Sequence, residues 1–288
     1  MQSEVPRRFV SVTNALWIPG RILFSLTIVA LGFETIVCAR VQGHFLGSGP
    51  AVVPCLPWLP AIPMVAGIAG SIWAICGMGL LAPRGSIAPR VLGTLFVLCT
   101  LVTILPRYLM DPANILLRTA LFEPLALAGI AFLQPGRYGD PRWPELLGRI
   151  LLGLSLVVFG LNLLLALDVA AFLPAWIPSH ELWIEVYAGA LALGGVCVWT
   201  GLLRRWVPAA LGVMFGAVAL TVYLPRVLGF YSVANAAQDP NEWSNLLVSI
   251  GLCGGMWTLV RRYVREKKVQ ERPIYAGGVT GGSRRHLS

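Results

Sequence analysis

The stretch GRILFSLTIVALGFETIV (Gly20–Val37) returns later in the chain as GRILLGLSLVVFGLNLLL (Gly148–Leu165). Seven of the eighteen positions are identical, and most of the others exchange one apolar side chain for another. Each copy is an almost unbroken apolar run, close to the ~20 residues an α-helix needs to cross a bilayer. Such a run, present twice at a separation of 128 residues, reads as a membrane protein built by duplication.

Composition agrees. Hydrophobic residues make up 57% of the chain and charged residues 12%, about half the usual ~25% of a soluble domain. The mean hydropathy of +0.74 is too high for a core alone. Apolar runs predict eight spans, near 17–38, 61–82, 91–109, 115–133, 150–172, 183–203, 208–225 and 245–262. So little chain separates the third and fourth that a re-entrant bend is an alternative there. The expected fold is all-α, with eight transmembrane helices.

Lys and Arg set the orientation. Arg7, Arg8, Arg21, Arg84, Arg90, Arg137, Arg142, Arg149, Arg204 and Arg205 fall on one side, with eight more at or beyond the last span. The opposite side holds Arg40, Arg107 and Arg226, with Arg118 just inside a helix. Both termini are therefore expected in the cytoplasm. The net charge of +9 is this asymmetry plus a basic tail, which suits anionic lipid headgroups and calls for no nucleic acid. A cleaved signal sequence at the first span is weighed and set aside, because its copy lies mid-chain.

Polar markers extend the duplication. Gly79-Leu80-Leu81 matches Gly201-Leu202-Leu203, Leu105-Pro106-Arg107 matches Leu224-Pro225-Arg226, and Asp111-Pro112 matches Asp239-Pro240. An even number of spans returns the chain to its starting side, so the repeat is parallel rather than inverted. The expected organisation is an N-terminal segment 1–14, a first four-helix unit 15–135, a linker 136–142, a second unit 143–263 and a basic, disordered tail 264–288.

The unit opens with Gly-Arg-Ile-Leu, has a second glycine twelve residues after the first, and carries a small-residue-rich second helix ending in Gly-Leu-Leu. In these features the chain resembles the DoxX-like family of bacterial membrane proteins, present twice in tandem. WIEVYAGALALGGV (Trp183–Val196) resembles that family's glutamate followed by glycines, with Glu185 as the glutamate and Pro63 at the aligned place in the first half. The resemblance implies a bacterial inner-membrane location. It also implies an accessory or quinone-facing subunit of a redox complex, with quinone as the associated small molecule and redox proteins as partners.

The candidate site residues cluster on the outer side. Glu34, Asp111, Asp168, Glu181, Glu185, Asp239 and Glu242 lie at or near outer span ends, with Glu123 deeper. An ionisable group at membrane depth must be paired or hydrated, and is a functional candidate by default. The charges either fasten the two halves at the rim or line a ligand or proton pathway. Arg107 and Arg226, placed symmetrically by the repeat, either clamp an anion or snorkel to the interface. Glu181 and Glu185 share a helix face, four residues apart. Glu123 precedes Pro124, which frees backbone groups nearby, and aligns with Gly251. Glu34 aligns with Asn162, where interhelical hydrogen bonding is a sufficient reason for both.

The six cysteines form no C-x-x-C motif, which argues against a dithiol centre or structural zinc. Cys38 and Cys55 flank one outer loop and are a disulfide candidate in an oxidising compartment. His44 and His180 lack tight metal-ligand spacing, so no metal site is assigned. No phosphate-binding glycine loop, zinc-protease motif or facing histidine pair for haem occurs, so no intrinsic cofactor is expected. A carrier or channel for a small, anionic solute and a ligand-free assembly scaffold are the alternative functions. Oligomeric state stays open.

Overall fold

The computed structural model describes residues 7–45, 63–82, 87–134, 143–165, 173, 177, 179–202, 206–228 and 240–270. Within these, the backbone alone is described for 7–15, 38–45, 63, 240–242 and 261–270. Every regular element among the described residues is helical. The helices are α1 (Arg7–Phe45), α2 (Pro63–Leu80), α3 (Ala88–Met110), α4 (Ile115–Leu133), α5 (Trp143–Leu165), α6 (His180–Thr200), α7 (Trp206–Val227) and α8 (Pro240–Gln270). Seven of them contain a stretch long and apolar enough to cross a membrane, and α2 contributes a shorter apolar helix, Met64–Leu80. This is an all-α protein with the helices of a multi-pass membrane protein. Apolar runs take this form because lipid offers the backbone no hydrogen-bonding partner, so each run must satisfy its own N–H and C=O groups.

Two boundaries differ from the sequence expectation. The fifth helix, Trp143–Leu165, starts seven residues ahead of the expected 150, because Pro144 and Glu145 make a favourable first turn before the apolar run, while the expected stretch 166–172 lies outside the described residues. The last helix continues to Gln270, past the expected boundary at 263. Its Arg261–Gln270 segment is rich in strong helix formers whose positive charges complement the helix C-terminus. The linker around 136–142 and the tail from 271 lie outside the described residues.

Helices α3 and α4 meet in the turn Asp111–Asn114. Asn114 caps α4, its Oδ1 accepting from the Leu116 and Leu117 N–H groups at 3.0 and 3.2 Å. Its Nδ2 also donates to Asp111 Oδ2 at 3.2 Å.

Proline shapes the two helices that carry Leu-Pro-Arg. In α3 a π-helical turn, Thr100–Ile104, comes just before Pro106, and in α7 the turn Ala219–Tyr223 comes just before Pro225. Proline has no N–H and its ring crowds the preceding turn. A π turn widens the ladder so the helix can run through it. Thr100, Thr103 and Thr221 donate back to the carbonyls of Phe96, Cys99 and Ala217 at 2.7 Å, so each hydroxyl is satisfied within its own helix.

The helices pack in a closed order. α1 lies against α2 and α8, and α5 lies against α6 and α4. α3 joins α2 to α4, α7 joins α6 to α8, and α4 meets α8 at the centre. Glycine sets the closest approaches. A methyl group at Gly254 would lie 2.6 Å from the Phe24 nitrogen and 2.8 Å from the Gly20 oxygen. One at Gly129 would lie 2.7 Å from the Leu152 nitrogen and 2.9 Å from the Gly148 oxygen. Gly77 meets Val29 and Ser25 of α1, while Gly195 meets Val157 and Gly153 of α5. The Phe132 ring covers Gly93, and the Trp257 indole covers Gly212. Helices in lipid gain little from hydrophobic exclusion, so small residues that admit close backbone contact hold them together.

These contacts correct the register read from sequence identity. They match Gly77 with Gly195, about one helical turn away from the Gly79–Gly201 alignment. Likewise Phe132 matches Trp257 and Gly129 matches Gly254, which sets Glu123 opposite Val248 rather than Gly251. By the same shift Glu185 corresponds to Gly67, not Pro63. Contact depends on where a neighbouring backbone crosses. Shared apolar letters slide freely by a turn, whereas a glycine under a crossing cannot.

Candidate functional site

The functional candidate is a polar layer where the two halves meet, toward the end of the bundle that holds the Asp111–Asn114 turn. On α1, Gly20, Phe24, Thr27, Leu31 and Glu34 recur at spacings of four and three, the period of one helix face. On α5, Gly148, Leu152, Ser155, Phe159 and Asn162 repeat that spacing. The glycine ends of both stripes meet α8 and α4 as described above, and Thr27 touches Gly251. Phe24, Leu31, Leu152 and Ser155 are fully buried. Each stripe therefore carries its polar residue, Glu34 or Asn162, to the far end of a packed seam.

Both polar ends hydrogen-bond across the seam. Glu34 Oε1 accepts from the Ser244 hydroxyl of α8. Asn162 donates through Nδ2 to Thr119 Oγ1 of α4 at 2.9 Å, and its Oδ1 accepts from Arg118 Nε at 2.5 Å. Thr119 and Ser244 each stand ten residues before the glycine of their crossing, Gly129 and Gly254. Their roles are equivalent. The expectation that Glu34 and Asn162 serve interhelical hydrogen bonding is met. Thr119 and Ser244 were not singled out by sequence, and Arg118 entered only as one of the outer-side charges, although the hydroxyl ten positions before a shared glycine is a readable signal.

The two ends are not chemically equal. Asn162 has its acceptor filled by a guanidinium. The residue on α8 that corresponds to Arg118 is Trp243, 47% exposed. Glu34 Oε2 is buried, and among the described residues no group donates to it.

Glu123 is partly buried. It lies one turn before Leu127 on the α4 face that meets α8, a face marked by Leu127 against Gly251 and Ile130 against Gly255. At the other end of this face Gln134 Nε2 donates to Thr258 Oγ1 at 2.6 Å. Glu123 thus stands one turn beyond the last of these contacts, on the same helix face.

The remaining candidates disperse. Arg107 is exposed while Arg226 is 9% exposed, so the two do not share an environment. Asp111 is exposed in its turn, and Glu181 and Glu185 are exposed on α6 beside Leu182, Trp183 and Val186. Asp239 and Cys55 lie outside the described residues, and the Cys38 side chain does as well, so the disulfide candidate does too. Among the described residues no group of three or more His, Cys, Asp or Glu is placed to hold a metal ion.

At the opposite end the repeated Gly-Arg pairs part company. Arg21 donates from Nε to the Leu80 carbonyl at 2.7 Å and from its terminal nitrogen to the Ala82 carbonyl, closing the end of α2. Its guanidinium lies 5.4 Å from the Trp17 ring centre. Arg149 instead pairs with Glu145 one turn back on its own helix. Its partner helix α6 ends on Gly201 at φ 73°, a left-handed closure that glycine makes without strain. No family model matches the chain, nor does any curated protein or solved structure.

Proposed function

We propose that the chain is a DoxX-like bacterial inner-membrane protein of eight spans, arranged as two parallel four-helix repeats with both termini in the cytoplasm. In this reading it is an accessory or quinone-facing membrane subunit of a redox complex, and partner proteins handle the electrons. The repeat draws support from the matched crossings of α1 with α8 and α5 with α4, and from π turns at the same place in α3 and α7. The orientation rests on the Lys and Arg distribution. Sequence resemblance is the source of the redox assignment.

One observation favours a subunit over a conduit. The seam between the halves is closed by backbone-to-backbone glycine contacts, while large apolar side chains such as Phe33, Met64, Leu101, Leu116, Leu161, Leu193 and Leu220 face outward on seven different helices or turns. A protein that works through its lipid- and partner-facing surfaces has this distribution. The alternative, a carrier or channel for a small anionic solute, draws on Arg226, which is buried near the rim end of α7. The exposed position of Arg107 speaks against two equal arms on an anion.

The test is purification from native membranes in mild detergent, with mass spectrometry of co-purifying proteins and extraction of bound quinone. A stoichiometric redox partner or quinone is expected. A lone protein free of both would overturn the subunit reading, and anion flux into vesicles that is lost in Arg226→Ala would install the carrier.

A further inference from the structure

We infer that Glu34 is a reversible proton-binding site, created by divergence of one half of the seam from the other. The inference does not depend on the redox reading. Its basis is the contrast between two equivalent positions. Asn162 satisfies both ends of its amide, giving to Thr119 and receiving from Arg118. Glu34 occupies the matching place on α1, takes the Ser244 hydroxyl on Oε1, and keeps Oε2 buried with no donor among the described residues.

A buried carboxylate oxygen without a donor is costly. Three things could complete it: a side chain, a ligand or a proton. The matching side chain is Trp243 in place of an arginine, and it is turned to the exposed side. Glu34 as a whole is partly exposed, but Oε2 itself is enclosed and offers no surface to a water or a larger ligand. A proton needs no such space.

The surroundings carry no competing charge that the structure describes. α2 has no Asp, Glu, Lys, Arg or His over Pro63–Leu80, its titratable group being Cys76, beside the Gly77 contact with Ser25 and Val29. α8 has none between Trp243 and Val260, with Cys253 its titratable group in the glycine region. The Glu242 side chain lies outside the described residues. Glu123 is the carboxyl of α4, one turn before Leu127, which meets α8 at Gly251. When Glu34 binds, a hydronium ion beyond the rim gives up a proton and is left as water, the proton adds to Oε2, and the carboxylate becomes a neutral carboxylic acid. Oε1 keeps the Ser244 donor, and no other bond changes.

Infrared difference spectroscopy of the full chain in vesicles, titrated with acid, tests this. The wild type should show a carboxylic-acid C=O band of a group shielded from water. That component should vanish in Glu34→Gln and persist in Glu123→Gln. It should shift to higher frequency in Ser244→Ala, which removes the hydrogen bond but keeps the acid. An unchanged band in Glu34→Gln overturns the assignment. If Glu34→Gln does not accumulate, Ser244→Ala decides: a band that does not move overturns it equally.

Discussion

The crossing of α1 with α8 and that of α5 with α4 have the same skeleton and different ends. Each has a glycine opposite a glycine, an aromatic residue of the last helix wedged between neighbours, and a polar contact ten residues away. In one, an amide is saturated by an arginine and a threonine. In the other, a carboxyl has one donor among the described residues. The difference teaches what two like helix crossings are free to vary. A side chain at a crossing glycine would strike backbone, which cannot yield. A polar residue at the end of the seam can change as long as some partner is within reach, so chemistry diverges there.

The largest effect is expected from filling the crossings. Gly254→Val and Gly129→Val should each destabilise by ~3 kcal/mol or more, the upper range for overpacking, because the obstructing atoms are main chain. Loss of monodisperse protein in fluorescence-detected size-exclusion runs would register it. If one variant behaves as wild type, the two crossings are not equivalent.

The polar layer should answer next. Arg118→Ala leaves the Asn162 oxygen without its donor, at a cost of ~1–3 kcal/mol for an unsatisfied buried group. Trp243→Ala, at the corresponding place, should cost no more than ~0.5 kcal/mol, as for an exposed site. Thermal melts in a single detergent compare them directly, and equal losses would mean that Trp243 has a structural role the contacts do not show.

The repeated arginines should differ more mildly. Arg21→Ala removes two hydrogen bonds that close α2 and should cost ~1–2 kcal/mol. Arg149→Ala removes one partly exposed pair on a single helix, worth about 0.5 kcal/mol. Proteolysis of the α2–α3 connection would reveal the first and leave the second unchanged.

The smallest change is expected at Gly67 and Gly189, where a methyl group would meet nothing within 4 Å. Alanine there should be neutral or raise stability by up to ~1 kcal/mol, the helix preference of Ala over Gly. A clear loss at either place would show that another chain packs on that face in the membrane.

Much of this was readable in the letters. The apolar runs around Gly20–Val37 and Gly148–Leu165, the Leu-Pro-Arg pairs and the matched levels of Glu34 and Asn162 all foretold real features, because span length and helix breaking are local properties. The registers of α2 with α6 and of α4 with α8 were misread by about a turn. Within a run such as LLVSIGLCGG, one apolar letter is as good as another for crossing lipid, and only the neighbouring backbone tells which glycine is indispensable. Glu181 and Glu185 illustrate the same limit. Their spacing says they share a face, but not that the face is exposed.

Sequence alone therefore determines that the chain makes apolar helices, roughly where they begin and end, and that one set of them echoes another. Hydropathy and proline chemistry act over a few residues and need no partner. Only the tertiary structure decides that α1 pairs with α8 and α5 with α4, that Arg118 completes Asn162, and that Glu34 Oε2 is enclosed with no donor among the described residues. Those facts depend on which residues 44 to 210 positions apart come within hydrogen-bond reach, and helix packing sets that distance.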